Sequence, residues 1–126
     1  MARQLPREVI DGWAEREGPV VVTTVDTAGI PNSIYASIVH LTDDGRVAVA
    51  DNYFDKTAAN ISSGTPAVIL FITGAKKAYQ IKGSLEYHGS GPLYEEMLLW
   101  ADPKHPRKGV ALMNPDTVYH GSEKLL

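Results

Sequence analysis

The sequence predicts a mainly β protein, a small antiparallel barrel of six strands with three short helices. Three observations carry that prediction. Strand-length runs rich in apolar and β-branched residues recur along the chain, at residues 20–25, 32–41, 46–50, 67–72, 79–87 and 109–119. Most connections between them have hairpin length, which favours antiparallel pairing. Gly83 interrupts the long alternating run 79–87, the mark of a bulge or bend in a closing barrel.

The elements follow in order. Residues 6–17 read as a helix, with Pro6 at its first position, Gly18 beyond its end, and Val9, Ile10, Trp13 and Ala14 on one face. Pro19 releases the first strand, 20–25, and Asp26-Thr27-Ala28-Gly29 forms a turn. In the second strand, 32–41, alternation places Tyr35, Ser37, Val39 and Leu41 on one face and Ile34, Ala36, Ile38 and His40 on the other. Asp43-Asp44-Gly45 is a hairpin turn into the third strand, 46–50. A short helix starts at Lys56 and ends at Ser62-Ser63-Gly64. The continuous apolar run 67–72 predicts a strand buried on both faces. In the fifth strand Tyr79, Ile81, Leu85 and Tyr87 oppose Gln80, Lys82, Ser84 and Glu86. Pro92 opens a third helix over 93–101, ended by Pro103 and Pro106. Residues 109–113 and 117–119 close the chain as strand, interrupted at Asn114-Pro115.

Composition bounds the function. With 126 residues, 44% hydrophobic and 21% charged, the chain reads as one soluble domain that can bury a core without metals or disulfides. A net charge of −3 and the absence of a local basic stripe argue against nucleic acid or membrane as partner. There is no cysteine, which removes thiolate catalysis and cysteine-ligated metals and fits a cytoplasmic protein. No apolar run has the length of a membrane span or the form of a leader.

Familiar catalytic arrangements are missing. No serine sits in a Gly-x-Ser-x-Gly elbow, and no phosphate-cradling Gly-rich signature occurs. The four histidines, His40, His88, His105 and His120, lack metal-ligand spacing, so no metal is expected. Glu95-Glu96 do not face each other on a helix and read as its negative first turn. Tyr35, Tyr53, Phe54 and Trp100 could wall a planar ligand, although each also suits core or rim.

The most informative stretch runs from Ala50 to Asn60. Asp55 is an N-cap candidate, and Lys56 beside it opposes the helix dipole. A bound anion would resolve the conflict, with backbone N–H groups, the Thr57 hydroxyl and the Lys56 ammonium converging on a phosphate. The plainer alternative has Lys56 pointing into water.

The order of these parts, with Gly29-Ile30-Pro31 before the second strand, the Asp-Gly hairpin, and Asp55-Lys56-Thr57-Ala58-Ala59-Asn60 after the third, resembles the FMN-binding split barrel. That is the superfamily of pyridoxamine 5′-phosphate oxidase and the short FMN-binding proteins. The resemblance spans nearly the whole chain. It implies a Greek-key, six-stranded antiparallel split barrel, and a homodimer with two FMN sites at its interface. Lys56 and Thr57 would hold the FMN phosphate, and Asn60 would support that loop or the ribityl chain. Tyr35, Ala36 and Ser37 would lie beside the flavin; Ala50, Asp51 and Asn52 would border its ring edge. The partner subunit would complete the pocket through its C-terminal third, with Trp100, His105 or the strand 114–119 as candidates. The implied function is redox-active flavin binding, as an oxidoreductase or electron carrier; the alternative is a non-catalytic flavin or deazaflavin module. The chain is shorter than the oxidases and lacks their Arg-rich C-terminal substrate segment, with Arg46 the one candidate for the arginine that often precedes the flavin strand. FMN binding therefore carries over better than pyridoxamine phosphate oxidation. Tyr53, Asp51 and His105 are conceivable proton donors, and no catalytic residue is assigned. Some relatives bind a deazaflavin or haem instead.

Overall fold

The computed structural model describes residues 3–126. Its elements are α1 (Arg7–Ala14), β1 (Val20–Val25), β2 (Pro31–Ala36), β3 (Val39–Leu41), β4 (Val47–Asp51), α2 (Lys56–Ser62), β5 (Ala67–Ile72), β6 (Ala78–His88), α3 (Pro92–Trp100), β7 (Gly109–His120) and β8 (Glu123–Lys124). The strands form one antiparallel sheet in the order β2-β1-β5-β6-β7-β4-β3, with the two-residue β8 beside β7. Its first and last members, β2 and β3, are separated by only Ser37 and Ile38. Two residues cannot span an open sheet, so the sheet curls until its edges meet, the mainly β barrel predicted above.

The strand count differs from six because the predicted second strand is two. Ala36 still pairs with Val20 of β1, but Val39 pairs with Val49 of β4. Between them Ile38 gives only its carbonyl, to Ala50 N–H at 3.0 Å. This handover also shifts the alternation. Ile34, Ala36, Val39 and Leu41 all pack on the barrel core, whereas Ile38 turns to a second apolar cluster outside it.

The core inside the barrel is built from Val20, Val22, Val47, Val49, Ile69, Phe71, Ile81 and Val118, joined by Val9 of α1 and by Leu5 just before that helix. The helix stops three residues short of the predicted end, because Glu17 N–H pairs with the Ile72 carbonyl and Arg16 bridges Thr73. α3 covers the outside of β4 and β7, placing Met97, with Ala101 just past its end, on Ala48, Ala50, Val110 and Leu112. Among the described residues, none covers the outside of β1, β2 and β5 where Tyr35, Leu70 and Ile72 are exposed. The run 67–72 is therefore buried on one face only: Ala67, Ile69 and Phe71 face inward, while Leu70 and Ile72 are 39% and 41% exposed.

Gly83 lies at a bulge, as its sequence position suggests. The β6–β7 register shifts there, from Lys82↔Thr117 to Gly83↔Pro115. The shift takes Pro115, which has no N–H to give, into an unbroken β7 instead of the expected interruption.

Candidate functional site

Two hollows follow one another along β2. At its end, a cleft of about 310 Å³ opens between Ile34–Ile38, Ala50, the Asn52–Phe54 loop and His105. At its start, a hollow of about 300 Å³ is bordered by Asp26, Asn32, Lys56, Ala59 and Asn60. The four-residue step from Asn32 to Ala36 spans about 13 Å of extended strand. The first hollow is lined by no Asp, Glu, Lys or Arg; the second is lined by the exposed Lys56 and by Asp26.

The cleft's walls are braced from behind. Asp51 is buried; its Oδ1 accepts the Phe54 N–H at 3.0 Å and its Oδ2 accepts the Tyr87 hydroxyl at 2.6 Å. Burial first, and then this bond to Asp51, pushes the Tyr87 phenol above its ordinary range, so the hydroxyl stays a donor. The Asp51 carbonyl accepts the Lys108 N–H at 2.8 Å. Asn52 Oδ1 accepts the Arg107 N–H at 3.0 Å, and the Tyr94 hydroxyl donates to the Arg107 carbonyl at 3.1 Å. Arg107 adopts a left-handed conformation (φ 49°) between these anchors. The segment between α3 and β7 is thereby pinned to the end of β4, and it carries His105 to the cleft. There His105 Nδ1 lies 3.3 Å from the Tyr53 hydroxyl.

At the other hollow, Asp55 makes no capping bond with its side chain, contrary to its expected role. Its backbone (φ −129°, ψ −86°) is not that of a usual N-cap. α2 has only seven residues, so the local positive charge is that of Lys56 rather than of a long helix dipole. Lys56 is exposed, and no carboxylate pairs with it among the described residues. Thr57 is buried and its hydroxyl accepts from Asn32 Nδ2 at 3.3 Å. Asn60 is buried too, and its Nδ2 donates to Thr24 Oγ1 at 2.9 Å, tying α2 to β1.

Of the nine residues singled out from the sequence, Tyr35, Ala36, Ser37, Ala50 and Asn52 line the cleft, and Lys56 and Asn60 line the second hollow. Asp51 and Thr57 stand behind these walls with their polar groups engaged. Asn32, Ile34, Ile38 and Tyr87 were not singled out. Tyr87 and Asn32 act through partners distant in sequence, so no local signal marks them; His105 lies between Pro103 and Pro106, a visible sign of a fixed loop. Arg46 lies elsewhere, bonded to Asp44, Glu86 and Asn114. Trp100 stacks on His40 with ring centroids 5.0 Å apart. No group of three metal-ligating side chains converges among the described residues, and no helix there is long and apolar enough to cross a membrane.

A family model described as pyridoxamine 5′-phosphate oxidase matches residues 7–120. The chain is 30% identical over 107 residues to the uncharacterized protein MJ0282 of Methanocaldococcus jannaschii, covering 80% of this chain and 71% of that one. Among solved structures, an FMN-binding protein of Syntrophomonas wolfei shares the fold with a TM-score of 0.74 at 18% identity, over 90% of this chain and 86% of that one. HutZ, a heme storage protein of Vibrio cholerae, shares it with a TM-score of 0.64 at 16% identity, over 94% and 95%. The family match over nearly the whole barrel, together with this fold, shows that the chain belongs to the pyridoxamine 5′-phosphate oxidase family.

Proposed function

We propose that this protein binds FMN along β2 and serves as a redox flavoprotein, with the site completed by a second copy of the chain. The observation that carries the reading is the pairing of the two hollows, one walled by aromatic and small residues, the other lined by an exposed ammonium that pairs with no carboxylate among the described residues and by Asp26, whose Oδ1 already accepts the Ala28 and Ile30 N–H groups. A planar ring joined by a polyol chain to a phosphate has this distribution of polarity. Lys56 would meet the phosphate, with Thr57 and Asn60 holding α2 in place. Tyr35, Ala36, Ser37, Ala50 and Asn52 would flank the ring, and Asp51 would hold the loop that bears Tyr53 and Phe54. When bound, the flavin supplies hydride and one-electron transfer, and the protein supplies position and polarity.

The test is titration with FMN. Saturable quenching of flavin fluorescence at one flavin per chain supports the reading; no uptake overturns it. Lys56→Ala is expected to weaken binding roughly tenfold, about 1.4 kcal/mol, the lower range for a charge-assisted contact because Lys56 is exposed. Unchanged affinity would remove Lys56 from the site. Steady turnover with a nicotinamide donor separates a redox enzyme from a passive flavin or deazaflavin carrier.

The second copy is supported by the uncovered outside of β1, β2 and β5. Leu70, Ile72 and the 78% exposed Tyr35 lie there, and Tyr35 also borders the cleft. A partner seated on this face would close the cleft's mouth. Size-exclusion chromatography with light scattering should give twice the chain mass, and Leu70→Glu should give the single-chain mass with weakened FMN binding. A monomeric wild type would remove the partner from the proposal.

Haem is a second reading, favoured by the His105 imidazole in the cleft. The spectrum of the purified protein and the identity of the released chromophore decide between the two.

A further inference from the structure

Of the acidic and basic residues described, Asp51 alone is buried. A buried carboxylate is costly unless a cation pairs with it or donors surround it. No cation does, since every ion pair among the described residues lies elsewhere. Its partners are two neutral donors, the Phe54 N–H at 3.0 Å and the Tyr87 hydroxyl at 2.6 Å. The cations of the adjoining segment are turned elsewhere. Arg107 sends Nη1 to the Leu98 carbonyl at 3.5 Å, in the last turn of α3, and its buried Nε has no partner. Lys108 gives Asp51 a backbone N–H, and it is exposed. The Asp51 carboxylate stands directly behind the cleft wall. Ala50 and Asn52, on either side of it in the chain, and Phe54, whose N–H it accepts, all line the cleft.

We propose that Asp51 biases this cleft toward oxidised flavin, its buried and unpaired negative charge disfavouring the reduced ring. Two electrons from a reductant and one proton from solvent turn the neutral oxidised ring into an anion; the polyol and the phosphate are unchanged. A fixed negative charge behind the wall therefore opposes the reduced form alone. Because Asp51 is buried, solvent and salt screen its field less than that of the exposed Lys108. Tyr87 tempers the field, since the hydroxyl hydrogen it donates draws on the carboxylate's charge. Asp51 thus acts on the ligand without touching it, and Tyr87 adjusts how strongly. This role presupposes the flavin binding proposed above and names the residue pair that sets its redox preference.

The experiment measures the Kd of FMN and of dithionite-reduced FMN, without oxygen and at one pH, for the wild type, Asp51→Asn and Tyr87→Phe. Its readout is the ratio of affinity for the oxidised form to affinity for the reduced form, in which the phosphate contacts cancel. Asp51→Asn removes the charge and keeps the shape: Oδ1 still accepts the Phe54 N–H, and Nδ2 can donate to the Tyr87 oxygen. It is expected to lower the ratio roughly tenfold, which raises the two-electron midpoint potential of the bound flavin by about 30 mV. Tyr87→Phe, which lies behind the wall, is expected to raise the ratio roughly two- to threefold, because the carboxylate loses a donor. A wild-type ratio in Asp51→Asn, or shifts of the same sign in both variants as a loosened cleft would give, overturns the inference and leaves flavin binding standing. If Asp51→Asn fails to fold or to bind, Tyr87→Phe decides, and a ratio at or below that of the wild type overturns the inference. A wild type that takes up neither form of FMN overturns the flavin reading and this inference with it.

Discussion

Gly83→Ala is expected to lower stability by roughly 3 kcal/mol, read as a lower urea midpoint at unchanged slope. A Cβ at this position would stand 2.0 Å from the Asn114 carbonyl oxygen and 3.1 Å from Met113 Sδ. The first neighbour is backbone, so no rotamer change relieves the contact. The strands would have to separate where β7 already takes in Pro115, and every pairing from Gly83 to His88 would feel it. Gly89→Ala is the control. Its Cβ would meet Tyr87 Cε2 at 3.7 Å and the Lys108 carbonyl at 3.9 Å, ordinary packing distances, and its cost should stay within about 0.5 kcal/mol. An equal midpoint for Gly83→Ala and the wild type would show that the bulge relaxes freely.

Asp51→Ala should cost roughly 2–4 kcal/mol, measured by thermal or urea unfolding. Asp51 is 3% exposed and its carboxylate accepts from two protein donors, one of them the Tyr87 hydroxyl at 2.6 Å. Removing it takes the acceptor from the Phe54 N–H and from the part-buried Tyr87 hydroxyl and leaves a cavity at a buried position. Tyr87→Phe should cost only about 1 kcal/mol, since it deletes one donor and leaves the carboxylate its bond from Phe54. Asp51→Ala should also weaken FMN binding, because the loop from Asn52 to Lys56 loses its anchor. A variant as stable as the wild type would return Asp51 to the list of groups free to touch a ligand.

What local chemistry decides was legible in the sequence. Asp26 holds its turn through bonds from Ala28 N–H and Ile30 N–H, both at 2.9 Å, and β1 occupies the predicted residues. The helix after the third strand runs from Lys56 to Ser62, with Gly64 left-handed beyond it. Other features depended on neighbours that no local pattern names. Ser37 and Ile38 look like strand interior, and only the switch from β1 to β4 as partner breaks them. Leu70 and Ile72 read as buried because the run carries no polar residue; whether a face is covered depends on a layer elsewhere. Asp55 has the composition of a cap, but the backbone entering α2 turns the wrong way. In the candidate site, the small and aromatic wall residues followed from strand order and resemblance. The braces did not, because Asp51–Tyr87 and Asn52–Arg107 join segments far apart in the chain.

The two-residue seam between β2 and β3 bears on how this protein folds. β1–β2 and β3–β4 are hairpins whose closure costs little loop entropy. Their remaining partners arrive much later in the chain: Val22 of β1 meets Ile69, and Ala50 of β4 meets Val110. The barrier to folding therefore lies in non-local pairing, which places the chain with the slower small β proteins, on the order of milliseconds to seconds. The cleft takes one wall from each hairpin, the end of β2 and the end of β4. Neither hairpin alone contains a binding site, so a ligand that recognises the cleft binds only the closed barrel and stabilises it against unfolding in proportion to its saturation.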